Sequence, residues 1–372
     1  MFKNVFGVIL LIFSAISSFA QNDPSRWVDS VFQRMTTAQK IGQLFMIPIS
    51  TSPSAAELQE LKTILSNDQP GGILITRGGV NSHIHTMNDL QAASRLPLMA
   101  GINAEWGIGQ TLDSAMTFQK PLVLGAIAND SLIYSLGKEI GRQMKLLGLT
   151  VNMAPNADLD VANESYPKLL EFWGDQKTMV ARNTVAFMNG LQREGILACT
   201  KFTPDSYKDE ALLNSTEFFE LDKLDTLGLF PLSKLIQGGV KGVLTSNLHF
   251  TMQGKRSRVP ASVSQLFVSN VLRKQMGFNG LTFCEIPYLQ SLTRRKKNGD
   301  TEKLAFSIGN DVLIAPSNLK RAIKKIAAVV RKDPALRAQL DSSVKKILAF
   351  KYESGLAQSR FINPENIQLK IQ

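Results

Sequence analysis

QKTMVARNTVAFMNGLQREGILACTKF, residues 176–202, joins two patterns in one stretch. Up to Gly195 its apolar side chains recur at three-to-four spacing, as an amphipathic helix requires. The ILACTKF that follows is apolar almost throughout, which reads as a strand buried on both faces and so belongs in a parallel sheet covered by helices. Similar runs lie on either side: GQLFMIPI (42–49), GGILIT (71–76), PLMAGIN (97–103), TVNMAP (150–155), GVLTSN (242–247), GLTFCEI (280–286) and DVLIAP (311–316). Helical patterns such as DSLIYSLGKEIGRQMKLLG (130–148) separate them. Eight such strands alternating with helices within 372 residues point to an α/β fold, a single-domain (β/α)8 barrel, in preference to an open doubly wound sheet.

The first residues, MFKNVFGVILLIFSAISSFA (1–20), combine Lys3, an apolar run from Val5 to Phe13 and a small-residue end before Gln21, the layout of a cleavable signal peptide. The run is shorter than the ~20 residues of a spanning helix, and no stop-transfer pattern follows. The expectation is an exported protein of the periplasm or cell envelope, without a stable transmembrane anchor after cleavage. The barrel is assigned to residues 27–354, and 355–372 reads as a polar C-terminal tail.

At 44% hydrophobic residues the chain has a globular composition, which sets aside a disordered class. Its net charge of +11 suits anionic envelope polymers or membrane surfaces, but much of it lies in KRAIKKIAAVVRKD (320–333), a solvated helix face. The basic run TRRKKN (293–298) has no interleaved aromatics, so no nucleic-acid partner is expected. Cys199 and Cys284 lie in apolar runs and read as core residues; two cysteines make neither a disulfide framework nor a metal site, although a single bridge between them stays open. His83 and His85 are two residues apart with no Cys or acid beside them, a poor metal site, and no metal or cofactor is expected.

In such a barrel the chemistry sits where strands end and loops lead into helices. This selects Asn103 and Glu105 after the third strand, Lys201 to Asp209 after the fifth, Asn247 and His249 after the sixth, and Glu285 after the seventh. Period-two alternation would put Asn247 and His249 on one face if their strand continued. A carboxylate such as Glu285 at an apolar strand end needs a partner or a raised pKa.

Together with WVDSVFQRMTTAQKIGQLFM (27–46), GGILITRGG (71–79), PLMAGINAEWGIGQTLDS (97–114), VNMAPNADLD (151–160), LDTLGLFPLSKLIQGGVKGVL (224–244), LRKQMGFNGLTF (272–283) and IGNDVLIAP (308–316), these strand ends resemble glycoside hydrolase family 3. The likeness is to the catalytic barrel of bacterial β-N-acetylhexosaminidases. It implies retaining hydrolysis of a terminal β-linked N-acetylglucosamine, with an aspartate after the seventh strand as nucleophile. A histidine paired with an aspartate after the fifth would be the general acid/base.

Several positions depart from the family's pattern. Against its KHFPGHGDT and following DSH, Lys201 matches the sugar-holding lysine, while Phe202 and Ser206 stand at histidine positions. An ungapped count puts Leu212 and Asn214 at the catalytic pair, and a short deletion puts Asp209 and Ala211 there. With only His83, His85 and His249 in the chain, the acid/base imidazole is absent, and Asp205 and Asp209 are the acids left to substitute. Where the family writes SDAL, this chain has Cys284-Glu285-Ile286-Pro287, a carboxylate one methylene longer. A misplacement of about 1 Å can cost ~100-fold in rate. Asn103 replaces the aspartate of the family's D-x-E-x-G segment, Thr111 and Glu171 replace arginines, and Asn247 replaces a histidine.

The resemblance therefore implies an exported family 3 glycosidase relative with impaired catalysis. Glu285, Asp205 and Asp209 are its catalytic candidates, Lys201, Asn103, Glu105, Asn247 and His249 its sugar contacts, and a β-linked N-acetylglucosamine-containing glycan its partner. The alternative is a non-catalytic glycan-binding or scaffolding protein of the envelope.

Overall fold

The structure, a computed structural model, describes residues 24–127, 129–159, 170–201, 218–220, 229–245, 247, 249–252, 255–256, 259–287, 298–365 and 367–371. The barrel strands are β1 (Phe45–Ser50), β2 (Gly72–Gly79), β3 (Met99–Ile102), β4 (Val151–Asn152), β5 (Leu197–Lys201), β6 (Gly242–Leu244), β7 (Leu281–Glu285) and β8 (Val312–Ile314). Each pairs in parallel with the next, and β1 bonds to both β2 and β8, which closes the sheet. All eight expected strands are present and the (β/α)8 barrel is the fold.

The apolar runs are long because both faces of each strand are buried. Leu74, Leu197 and Cys199 join a cluster with Met46, Met99, Val151 and Phe283, while the alternate residues Ile73, Ile75 and Ala198 join a second cluster with Phe187 and Met144 of the surrounding helices. Methionine fills the barrel axis where strands carry glycine: a Cβ on Gly101 would lie 3.0 Å from Met46 Cε and 3.3 Å from Leu74 Cδ1.

Helices begin where side chains satisfy their free amides. Asn129 Oδ1 accepts from Ser131 N and Leu132 N at 3.0 and 3.3 Å and opens Asp130–Leu146. Helix Leu319–Lys332 buries Ala322, Ile323, Ile326 and Val330 and exposes Lys320, Arg321, Lys324, Arg331 and Lys332, so the basic run is the solvated face expected. Within residues 355–372, read as a polar tail, Leu356, Ile362, Ile367 and Ile371 are buried. Asn88 exchanges two hydrogen bonds with the Ile362 backbone at 2.9 and 2.8 Å, so this segment is seated on the helices by a few apolar anchors too sparse to show a period.

Asp311, one residue before β8, lies at the opposite end of the barrel from the loops after the strands. Its carboxylate takes Arg273 at 2.6 Å, Lys346 at 2.7 Å, Ser343 at 2.6 Å and Thr282 N at 3.0 Å. Burial pushes its pKa up, and the charges of Lys346 and Arg273 more than reverse this and hold it below the ordinary value. The stabilisation is thus full above the unfolded pKa of ~3.9 and is lost as pH falls through the lower folded value. Asp311→Ala, which strands two partly buried cations, is expected to cost about 3–5 kcal/mol in urea unfolding near neutral pH.

Lys351 is fully buried, and its Nζ donates to Gln43 Oε1 at 2.6 Å. Burial lowers its pKa to about 7. Between that value and the unfolded ~10.4 the unfolded chain binds a proton that the folded one does not, so stability rises with pH across the window. Lys351→Met should remove this rise, as read from urea midpoints at a series of pH values.

Candidate active site at the barrel mouth

Glu105 is a deeply buried charged group at the strand ends. It follows β3, and its side chain is 1% exposed. One oxygen accepts from Asn156 N at 2.6 Å and Trp173 Nε1 at 3.1 Å, and the other lies 3.2 Å from Lys201 Nζ. Its own amide donates to Gln110 Oε1 at 2.8 Å.

Lys201 closes β5 and reaches Glu105 because the chain after β4 lies alongside: Lys201 N donates to Pro155 O and Ala157 N donates to Lys201 O, both at 2.9 Å. Burial would lower the lysine's pKa, but the charge and hydrogen bond of Glu105, then the charges of Glu171 and Glu285, hold it above its ordinary value.

Glu285 ends β7. In register Phe283 lies level with Leu244 on β6, and Leu244 lies level with Lys201, so Glu285 is the next side chain on that face, toward the mouth. Its carboxylate has no hydrogen bond or ion pair with another described residue. Burial raises its pKa and the Lys201 charge only partly offsets this. The ion pair that could have neutralised Glu285 is spent on Glu105.

The remaining candidates separate. Asn103 is exposed, and its carbonyl accepts from Thr111 Oγ1 at 2.8 Å, so Thr111 at the family's arginine position braces the loop. Asn247 donates from Nδ2 to Glu285 O at 3.2 Å and accepts from Ser262 Oγ at 2.5 Å, which commits its amide to positioning the end of β7. His249 is not on a continuation of β6. That strand stops at Leu244, and His249 begins His249–Met252 in a separate three-stranded sheet with Phe218–Glu220 and Lys255–Arg256. Asp205, Asp209 and the TRRKKN residues before Asn298 lie outside the described residues.

Sequence reasoning missed Trp173 and Asn156 as donors to Glu105. The available signal was chemical: a carboxylate retained among apolar residues needs donors, and Trp173 sits in the segment that carries Glu171.

Other titratable groups drop out. Cys199 and Cys284 are free and buried; burial and then the Glu285 charge push the first thiol well above its usual value and the second to about 12, so neither supplies a thiolate. His83 is buried in the outer layer and donates from Nε2 to Leu147 O at 2.8 Å. No cluster of three or more metal-ligating side chains occurs among the described residues.

The family model of the glycosyl hydrolase family 3 N-terminal domain matches residues 36–350. The chain belongs to this family. It is 23% identical over 346 residues to a β-N-acetylglucosaminidase/β-glucosidase of Cellulomonas fimi, covering 90% of this chain and 61% of the relative, so it spans about three fifths of that relative's length. Solved structures with the same fold include β-glucoside phosphorylase BglX, with a TM-score of 0.81, 20% identity and coverage of 94% of this chain and 64% of that one. The β-N-acetylhexosaminidase of Beutenbergia cavernae has a TM-score of 0.70 and 18% identity, covering 85% of this chain and 98% of that one. In this family 3 barrel the Lys201–Glu105 pair should be structural as well as site-forming. Lys201→Met is expected to lose about 3–5 kcal/mol of stability in urea, because it leaves Glu105 buried without its cation. Lys201→Arg should lose much less.

Proposed function

We infer that this family 3 barrel is an exported glycoside hydrolase of the β-N-acetylglucosaminidase type, acting slowly on terminal β-linked amino sugars of cell-envelope glycans. The observation that carries the reading is Glu285: a carboxylate at the end of β7, unpaired among the described residues and aligned toward the mouth beside Lys201 and Glu105.

In a retaining reaction Glu285 attacks the anomeric carbon as the leaving oxygen departs, and water then releases the sugar from the glycosyl-enzyme. Two features weaken this chemistry. The extra methylene of Glu285 shifts the attacking oxygen relative to the family's aspartate, and the chain has no histidine for the acid/base position after β5. Burial also favours the protonated, non-nucleophilic form of Glu285, so its activity should rise with pH through a pKa above the ordinary glutamate value. Export is supported by the leader-like pattern of residues 1–20.

A nitrophenyl β-N-acetylglucosaminide tests the nucleophile alone, because nitrophenolate leaves without a proton donor. Slow release is expected from the wild type, a fall of ~100-fold or more in Glu285→Gln, and faster release in Glu285→Asp, which restores the family's side-chain length. Release that is unchanged in Glu285→Gln would rule Glu285 out as nucleophile. Sugar binding without any release would instead favour the non-catalytic glycan-binding alternative.

A further inference from the structure

Helices Asp130–Leu146, Lys177–Arg193 and Phe230–Gln237 stand side by side on the outer wall and lead into β4, β5 and β6. They run back along the strands, so their first turns lie at the mouth end. The middle helix is recessed against the first: a Cβ on Gly137 would lie 2.3 Å from Phe187 O, and one on Gly190 2.2 Å from Tyr134 O. Between Arg182 and Arg193 it has no charged residue, and it turns Val185, Ala186 and Asn189 outward. The solvated helix Leu319–Lys332 exposes Lys320, Arg321, Lys324, Arg331 and Lys332 instead. The result is a groove of about 780 Å³, floored by Ala181, Val185 and Ala186 and walled by Tyr134 and Phe230.

The charged lining is Asp130, Arg182 and Lys234. Asp130 is paired with Arg182 at 2.9 Å. Lys234 Nζ lies 5.3 Å from the centre of the Phe230 ring and Lys177 Nζ 5.2 Å from it, so one wall carries two ammonium groups. Neighbouring charges on these segments offset one another: Lys138 and Asp175 are of opposite sign, as are Arg193 and Glu194, and Glu139 pairs with Arg142 at 2.6 Å. The groove is therefore positive among the described residues, in a chain of net charge +11. Val185 is the largest aliphatic side chain in the lining, so the anchor pockets of a protein interface are absent from it. Ser131, Ser135, Thr178 and Asn189 supply hydroxyl and amide groups beside the Tyr134 ring, a lining that suits sugar hydroxyls and a pyranose face.

We propose that this groove is a second glycan site, separate from the mouth, for an acidic polysaccharide whose pyranose units carry carboxylates. Tyr134 packs against a sugar face, and Lys234 and Lys177 meet the carboxylates through charge-assisted hydrogen bonds. A chain held here runs along the wall toward the mouth. The choice of a glycan as occupant rests on the reading above, whereas the groove's shape and charge do not involve Glu285.

Titration calorimetry at low salt, with galacturonate oligomers, chitin oligomers of equal length and polyglutamate, tests the site. The wild type is expected to bind the galacturonate oligomer, with affinity falling about tenfold in Lys234→Gln and in Tyr134→Ala, weakening with added salt, and unchanged in Glu285→Gln. Lys234 and Asn189 are exposed, so Lys234→Gln and the charge-adding Asn189→Asp, also expected to weaken binding, keep the test sound if Tyr134→Ala folds poorly. No binding of the galacturonate oligomer, binding unchanged in the groove variants, or binding lost in Glu285→Gln overturns the proposal. Equal binding of polyglutamate, which lacks sugar rings, or of the neutral chitin oligomer overturns it as well. Release of nitrophenolate from the aryl glycoside is a separate measurement, so the glycosidase reading stands or falls independently of these outcomes.

Discussion

A carboxylate that is 1% exposed sits where β3, β4 and β5 release their loops, and the arrangement of the mouth follows from what Glu105 needs. Desolvating an ionised carboxylate costs several kcal/mol unless donors and a counter-charge replace the lost water. The fold supplies the amide of Asn156, the indole of Trp173 and the ammonium of Lys201. Each comes from a different segment, so satisfying one side chain ties three loops together. The cost is borne by Glu285, because the lysine at the end of β5 cannot also pair with it.

That allocation was only partly legible in the sequence. The barrel was, because a strand buried on both faces must be apolar at successive positions, and Ile73, Leu74 and Ile75 meet the condition while facing two different cores. Positions at the strand ends followed from the same logic. Partnership did not, since Lys201 and Glu105 are far apart in the chain and their pairing depends on the path of the backbone after β4. His249 shows the limit of periodicity: alternation holds only while a strand continues, and β6 ends at Leu244. The C-terminal segment shows another, in that Ile362, Ile367 and Ile371 bury without forming a pattern dense enough to read.

The departures from the family's motifs acquire physical meaning once these partners are placed. Thr111 and Asn247 keep architectural tasks, one bonding the Asn103 carbonyl and the other the Glu285 carbonyl, so the frame of the site survives the loss of the family's longer or basic side chains. Glu171 differs in kind. A carboxylate in place of a guanidinium reverses the local charge and removes a planar fork of donors, which no shift of backbone restores.

The two ends of the barrel then handle buried charge in opposite ways. At the strand N-termini Asp311 is surrounded by Arg273, Lys346, Ser343 and Thr282, a closed set in which the carboxylate is fully answered. Such an arrangement contributes stability and leaves nothing for a ligand. At the strand C-termini Glu105 is answered but the Glu285 carboxylate is not, within the described residues. An unpaired buried carboxylate costs folding free energy, and a fold that carries one at one end while closing its ion pairs at the other concentrates that cost where the strands release their loops.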